Sequence, residues 1–212
     1  MHIPTVYSEE YDGSDSFVLN QVKLHHLVKV LRLKEGDSAK ISNGRGLVAT
    51  GTFNGNNQII LENIEEHKRS NTINFFLSAM DSGNRMRFAI EKLSEIGISS
   101  ITVGRTLRSG KKNFELSKIK IWAESAVEQS GNPFIPEVYK IEKLDYDQFP
   151  ECIDVCGTIE FQKFTSNNLA IGPEGGWDSS ELSQFKSSYL MNFATLRSET
   201  AAIVAATLLL SA

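Results

Sequence analysis

Ile171-Gly172-Pro173-Glu174-Gly175-Gly176-Trp177, followed some twenty residues on by Leu196-Arg197-Ser198-Glu199-Thr200-Ala201, is the stretch from which the fold is read. Pro173 keeps Gly172 out of the helical region and removes one backbone donor. Gly175 and Gly176 have access to positive φ and leave their amides open. Asp178, with Glu181 three residues later, has the form of a capping box. The reading is therefore a strand, a stiff turn and a helix N-terminus. Such a turn can hold a small ligand by main-chain atoms; a plain structural turn would use the same residues. A position at the carboxyl end of a parallel strand is what adds weight to the ligand reading. In the second segment Ser198 is placed to cap a helix, and Glu199 sits in its first turn, where the helix dipole favours an acid. Arg197 just ahead could present its fork to a phosphate or a carboxylate, although a capped helix with a surface arginine accounts for it equally. Neither Gly-x-x-x-x-Gly-Lys-Ser/Thr nor Gly-x-Gly-x-x-Gly occurs.

Working outward, residues 72–212 alternate strand and helix. Ile73–Ala79, Ile98–Val103, Cys152–Cys156 and Leu169–Ile171 are predicted as strands. Arg85–Ile96 is predicted as a helix with Met86, Ile90 and Leu93 in one buried stripe and Gly97 as its stop. Ser117–Ser130 is a second helix. Thr200–Ala212 is apolar nearly all round, so the sheet and a neighbouring helix, or a second subunit, must cover it. This alternation implies an α/β domain with a parallel sheet. Residues 1–70 read instead as short strands (Ile3–Tyr7, Ala39–Ser42, Leu47–Phe53, Gln58–Ile64) with turns at Asn43–Gly46 and Asn54–Asn57 and one helical stretch capped by Asn20. That pattern suggests a small barrel. The polar run from Glu65 to Asn71 marks a boundary, giving domains 1–70 and 71–212.

An apolar fraction of 41% and a charged fraction of 23% are those of an ordinary globular protein. No apolar run is long enough to span a membrane, and Met1-His2-Ile3-Pro4 does not open a signal peptide, so a cytoplasmic protein is expected. Cys152 and Cys156 are too few for a disulfide framework or a zinc site and are expected as buried thiols; no metal is expected. The net charge of −4 is unevenly spread, with balances of −1 over residues 1–70, +5 over 71–120 and −8 over 121–212. The basic middle contains Arg85, Arg87 and the run Arg105-Thr106-Leu107-Arg108-Ser109-Gly110-Lys111-Lys112. It reads as a loop dense in donors with Gly110 for flexibility, fit either for RNA backbone contacts or simply for solvent.

Together these segments resemble the SPOUT methyltransferases, and among them the small-subunit ribosomal RNA methyltransferase E family. The agreement extends to Glu91-Lys92-Leu93-Ser94-Glu95-Ile96-Gly97-Ile98, to Glu128-Gln129-Ser130-Gly131 with Ile135-Pro136, and to His26, Val30-Leu31-Arg32 and Gly36-Asp37. The resemblance implies a PUA-like β-barrel over residues 1–70 and a SPOUT domain with a trefoil knot over 71–212. It also implies a homodimer, S-adenosylmethionine as cofactor, and methylation of N3 of a uridine in 16S rRNA, free or in the small subunit. Ile171, Gly172, Pro173, Glu174, Gly175, Gly176, Met191, Leu196 and Thr200 would hold the cofactor. Arg197 would stabilise charge or position the uridine phosphate, and Glu199 would serve as base. Arg32, Arg85, Arg87, Arg105, Arg108, Lys111 and Lys112 would contact RNA. The family commonly has Leu-Gly where this chain has Met191-Asn192. The alternatives are a diverged SPOUT protein lacking this activity and a dimeric RNA-binding module.

Overall fold

The computed structural model describes residues 3–70, 72–111, 113–191 and 194–211; Lys112, Asn192 and the last residue of the expected C-terminal helix, Ala212, lie outside them. The chain groups into two compact units. One comprises residues 1–70 with 124–135, the other residues 71–123 with 136–212.

In the first unit β1 (Thr5–Tyr7), β2 (Ser16–Val18), β3 (Ser38–Ser42), β4 (Leu47–Phe53) and β5 (Gln58–Glu66) form one sheet in the order β1-β3-β4-β5-β2. β1 runs parallel to β3 and the other pairs are antiparallel. Alternation along β4 and β5 sends Ala49, Phe53, Ile59 and Leu61 into a core shared with Val6, Tyr11, Leu27 and Ile41. The helical stretch is α1 (Gln21–His25), capped as expected by the Asn20 side chain accepting from the Lys23 amide at 2.9 Å, and it continues as a π turn over His26–Val30. β2 was not foreseen, because Ser16-Phe17-Val18 is only three residues long. β5 continues through Glu65 and Glu66, so the polar run begins inside a strand.

The second unit is built on β6 (Asn74–Ser78), β7 (Ser100–Arg105), β8 (Glu137–Lys143), β9 (Glu151–Ile153), β10 (Ile159–Glu160), β11 (Asn168–Ile171) and β12 (Ser187–Leu190). These seven strands form one sheet in the order β10-β12-β9-β11-β6-β7-β8, parallel throughout. Three helices belong mainly to this unit: α2 (Gly83–Ile96), α3 (Leu116–Ser130, whose last residues group with the first unit) and α5 (Ser198–Leu210). The short α4 (Ser179–Leu182) follows the glycine-rich turn. Both faces of the sheet are buried: Phe75, Leu77 and Leu169 pack with α2 and α5 residues, while Phe76 and Ala170 pack against Phe149, Cys152 and Trp177. Gly97 ends α2 at φ 100, the predicted left-handed stop. β8 and β12 escaped the sequence reading because the edge strand β8 (Glu-Val-Tyr-Lys-Ile-Glu-Lys) buries only one residue, and Ser187-Ser188-Tyr189-Leu190 carries few β-formers.

Two expectations need correction. Only Cys152 is buried; Cys156 is exposed past the end of β9. Burial, with Asp154 close by, raises the Cys152 thiol far above its ordinary pKa. In α5 it is the stripe Ala201, Ala202, Ala205 and Ala206 that is buried, whereas Leu208 is 45% exposed, so this chain covers α5 on one side only.

Candidate functional site

Because all seven strands are parallel, the loops that follow them emerge along one edge of the sheet, the edge at which open α/β sheets bind ligands. The glycine-rich turn after β11 is built around Trp177. This side chain is buried and donates its Nε1–H to the Ile153 carbonyl at the end of β9, at 2.8 Å. Gly172 lies against the indole, where a Cβ would come within 2.9 Å of the ring. The Gly176 amide closes the turn on the Pro173 carbonyl at 2.9 Å with φ 70. Gly176 thus takes the positive φ foreseen for both glycines. Gly175 does not; a Cβ there would instead touch Arg108. Asp178 and Glu181 form the predicted capping box at the start of α4.

Ser198 does not cap α5. That position belongs to Arg197, whose side chain makes no capping bond, and Ser198 is the first helical residue. Its buried hydroxyl donates to the Gly172 carbonyl at 2.7 Å. This hydrogen bond ties the two segments from which the sequence was read into one site. Arg85, at the start of α2, ties them a second time. Its Nη1 donates to Glu174 Oε1 at 2.6 Å, and its Nε lies 3.9 Å from Glu199 Oε1. Glu199 is 7% exposed, and its Oε2 has no hydrogen-bond partner among the described residues. A buried carboxylate oxygen left open in this way is costly unless something else donates to it.

Beside this pair of segments is a cavity of about 100 Å³. Ile153, Leu190, Met191, Leu196 and Ala201 give it apolar walls, and Asp154 and Thr195 also line it. The expected Met191 and Leu196 therefore line it, whereas Thr200 is exposed in the first turn of α5. The β9 contribution, Ile153 to Val155, was missed, although a buried strand read as parallel marks its own carboxyl end as a candidate lining. Among the described residues the amides of Gly175, Thr195 and Leu196 donate no hydrogen bond, which leaves them open to a ligand.

Several of the basic residues expected to contact RNA also have partners within the chain. Arg87 pairs with Glu91 along α2 at 2.6 Å. Arg108 pairs with Asp178 at 3.0 Å, and Arg105 donates to the Lys111 carbonyl at 2.9 Å. The Leu107 amide donates to the buried Glu181 carboxylate at 2.9 Å. Gly110 is buried, with its Cβ position 2.4 Å from the Asp81 amide, so it permits close packing rather than the flexibility expected of it. The Lys111 amide donates to Asp81. The loop is pinned to the site margin with its charged ends facing outward. Arg32 lies in the other unit.

A wholly parallel α/β sheet with clamped ligand loops on its carboxyl edge, in a chain that also carries a small β unit, is here the architecture of an RNA methyltransferase. More particularly, the chain belongs to the RNA methyltransferase domain family, whose model matches residues 68–210, and the RNA methyltransferase PUA domain matches residues 23–62. It is 29% identical to the ribosomal RNA small subunit methyltransferase E 2 of Borreliella burgdorferi over 93% of this chain and 92% of that protein. The fold is shared with the ribosomal RNA small subunit methyltransferase E of Neisseria gonorrhoeae, a structure bound to S-adenosyl methionine. The TM-score there is 0.85 at 21% identity, over 99% of this chain and 98% of the other. A predicted RNA methyltransferase from Thermotoga maritima matches with a TM-score of 0.77 and 25% identity over 98% and 97% of the two chains. Among the described residues no helix is long and apolar enough to cross a membrane, and no group of three or more His, Cys, Asp or Glu side chains could hold a metal.

Proposed function

We propose that this chain is an S-adenosylmethionine-dependent methyltransferase acting on N3 of a uridine in 16S rRNA, and that it works as a homodimer. The observation that carries the reading is the Ser198–Gly172 hydrogen bond, which makes one site out of the two segments and leaves the open oxygen of Glu199 beside it. The chemistry of the residues present suits the cofactor, and the cavity of about 100 Å³ takes one end of it. Met191, Leu196 and Ile153 offer apolar walls suited to an adenine. The free amides of Gly175, Thr195 and Leu196 offer donors, and the buried Glu199 carboxylate balances a cationic sulfonium. When bound, S-adenosylmethionine supplies an electrophilic methyl group.

The chain's own work is to make uracil N3 a nucleophile. That nitrogen carries a proton and must lose it, leaving negative charge shared with O2 and O4. Glu199, held by Arg85 and with one oxygen unengaged, accepts the proton. Arg197, exposed at the mouth of the site and without a capping bond, donates to the developing oxyanion. The target base must leave its stack to reach this edge. The outward-facing Arg105, Arg108 and Lys111, together with Lys112, Arg85, Arg87 and Arg32, form the RNA-contacting set of this reading.

The test is primer extension on 16S rRNA from cells lacking the gene, because a methyl group at N3 blocks pairing and stops reverse transcriptase. The stop should vanish in the deletion and return with the wild-type gene. Arg197→Ala and Glu199→Gln should each restore less than about a hundredth of the methylation, the scale of a lost oxyanion donor or general base; in calorimetry Arg197→Ala should still bind S-adenosylmethionine, whereas Glu199→Gln, which removes the charge opposite the sulfonium, should bind it more weakly. A stop that persists in the deletion strain refutes the assignment.

A further inference from the structure

Residues far apart in the chain, His26 and Leu31 to Leu33 on one side and Glu128-Gln129 on the other, line a single cavity of about 810 Å³ in the N-terminal unit. Its distinctive residue is Arg32. Among the described residues it is the only non-glycine at positive φ, at 58°. The cause is local. The π turn closes with the Leu31 amide donating to the His26 carbonyl at 3.0 Å and the Leu33 amide to the Leu27 carbonyl at 2.9 Å. Arg32 fills the left-handed position of that cap, a place ordinarily given to glycine. An arginine kept in a strained conformation points to a use for its side chain. The guanidinium has no hydrogen bond or ion pair with any described residue.

The rest of the cavity complements it. Glu128 accepts the Tyr7 amide on Oε1 at 3.0 Å, and Asp37 accepts the Lys34 amide on Oδ2 at 2.8 Å. Each carboxylate is thereby oriented, with its second oxygen open. Ile3, Leu31 and Leu33 supply apolar wall. Two acids in the same lining as Arg32 make the cavity a poor phosphate site, and a flat ring bearing both donors and acceptors suits it better. We propose that it binds an unstacked guanine base of the RNA. The guanine N2–H₂ would donate to the open oxygen of Glu128 and N1–H to that of Asp37, and Arg32 would donate to O6 and N7. Uracil offers one such donor group, N3–H. Adenine and cytosine offer one amino group each, so guanine alone uses both acids and the arginine.

The inference rests on RNA being the substrate but not on methyl transfer, and the test separates the two. The full chain is titrated, without cofactor, into 5′-labelled hexauridylates carrying one central guanine, inosine or adenine, and binding is read by fluorescence anisotropy. The guanine oligomer should bind at least about tenfold tighter than the adenine one, the worth of a single good bidentate pair. Inosine, which lacks the N2 amino group, should fall between them. Arg32→Gly relieves the left-handed backbone, so its thermal midpoint should rise while the guanine preference disappears. Glu128→Gln keeps an acceptor for the Tyr7 amide and should erase the difference between guanine and inosine. Equal binding of guanine and adenine oligomers, binding of neither, or a preference that survives Arg32→Gly overturns the proposal. Methylation of 16S rRNA by the same wild-type preparation is measured alongside. Methylation without guanine preference removes the cavity alone, and preference without methylation removes the enzymatic reading alone.

Discussion

Gly172 and Gly176 stand four positions apart in one turn, yet for different reasons. At Gly172 the constraint is space: a methyl group would meet the Trp177 indole at 2.9 Å, and that ring is fixed by its bond to Ile153 and its packing on Phe185. At Gly176 the constraint is backbone conformation alone, since nothing lies within 4 Å of its Cβ position but φ is 70. Gly172→Ala should therefore destabilise by about 1–3 kcal/mol, the usual cost of overpacking, and displace the carbonyl that accepts from Ser198. Gly176→Ala should cost about 1–2 kcal/mol of left-handed strain and leave that clamp in place. Urea unfolding of the two variants, with calorimetric titration of S-adenosylmethionine, checks this: both lose stability, but Gly172→Ala loses the larger share of affinity. Similar affinity losses in both would mean that the clamp does not shape the site.

At the scale of elements, α2 presents two arginines that look alike in sequence and differ in consequence. Arg87 meets Glu91 one turn along the same helix, a surface pair contributing about 0.3–0.5 kcal/mol. Arg85 joins α2 to the turn after β11 and to α5 through Glu174 and Glu199. Arg85→Ala should weaken cofactor affinity and methyl transfer together, whereas Arg87→Ala should leave cofactor affinity within about a factor of two, in line with so small a pair energy. Parallel titrations decide, and equal effects would deny Arg85 its bridging role. This contrast also marks how far the sequence could be read. The buried strands β6, β7 and β11 were legible because apolar runs between turn residues have few other uses, and Asn20, Gly97 and Asp178 declared their caps. β12 was not legible, because two serines in four residues carry no strand signal. Arg85 was read only as an RNA contact, and its bridging role was missed, because its partners, Glu174 and Glu199, are close only in the folded chain. Ser198 was misread because a hydroxyl at a helix start serves equally to cap the helix or to reach a carbonyl beyond it. The knot came from resemblance alone, since threading leaves no periodicity in a sequence.

For the molecule as a whole, α5 poses the remaining physical question. Its alanines let α2 and β11 approach closely and are buried, but Leu208 stays 45% exposed and Ile203, Val204, Leu209 and Leu210 are only partly covered. A largely apolar helix covered on one side leaves Ile203, Val204 and Leu208 facing water, broken by the exposed Thr200 and Thr207, at about 25 cal/mol for every Å² of apolar surface. A second copy of the chain meets that cost symmetrically, since a two-fold interface presents the same patch twice. The proposed homodimer should therefore pair through the outer face of α5. Leu208→Glu tests this cleanly. Within one chain the side chain is already half in water, so the fold should keep its circular dichroism and lose no more than about 0.5 kcal/mol, as at an ordinary surface position. In a dimer the same substitution buries an unpaired carboxylate in each half of the interface, at a cost of several kcal/mol. Sedimentation equilibrium should find wild-type protein at twice the mass of one chain and Leu208→Glu at the mass of one. Wild-type protein sedimenting as single chains, with α5 intact, would remove the dimer and leave the apolar face of α5 to a different partner.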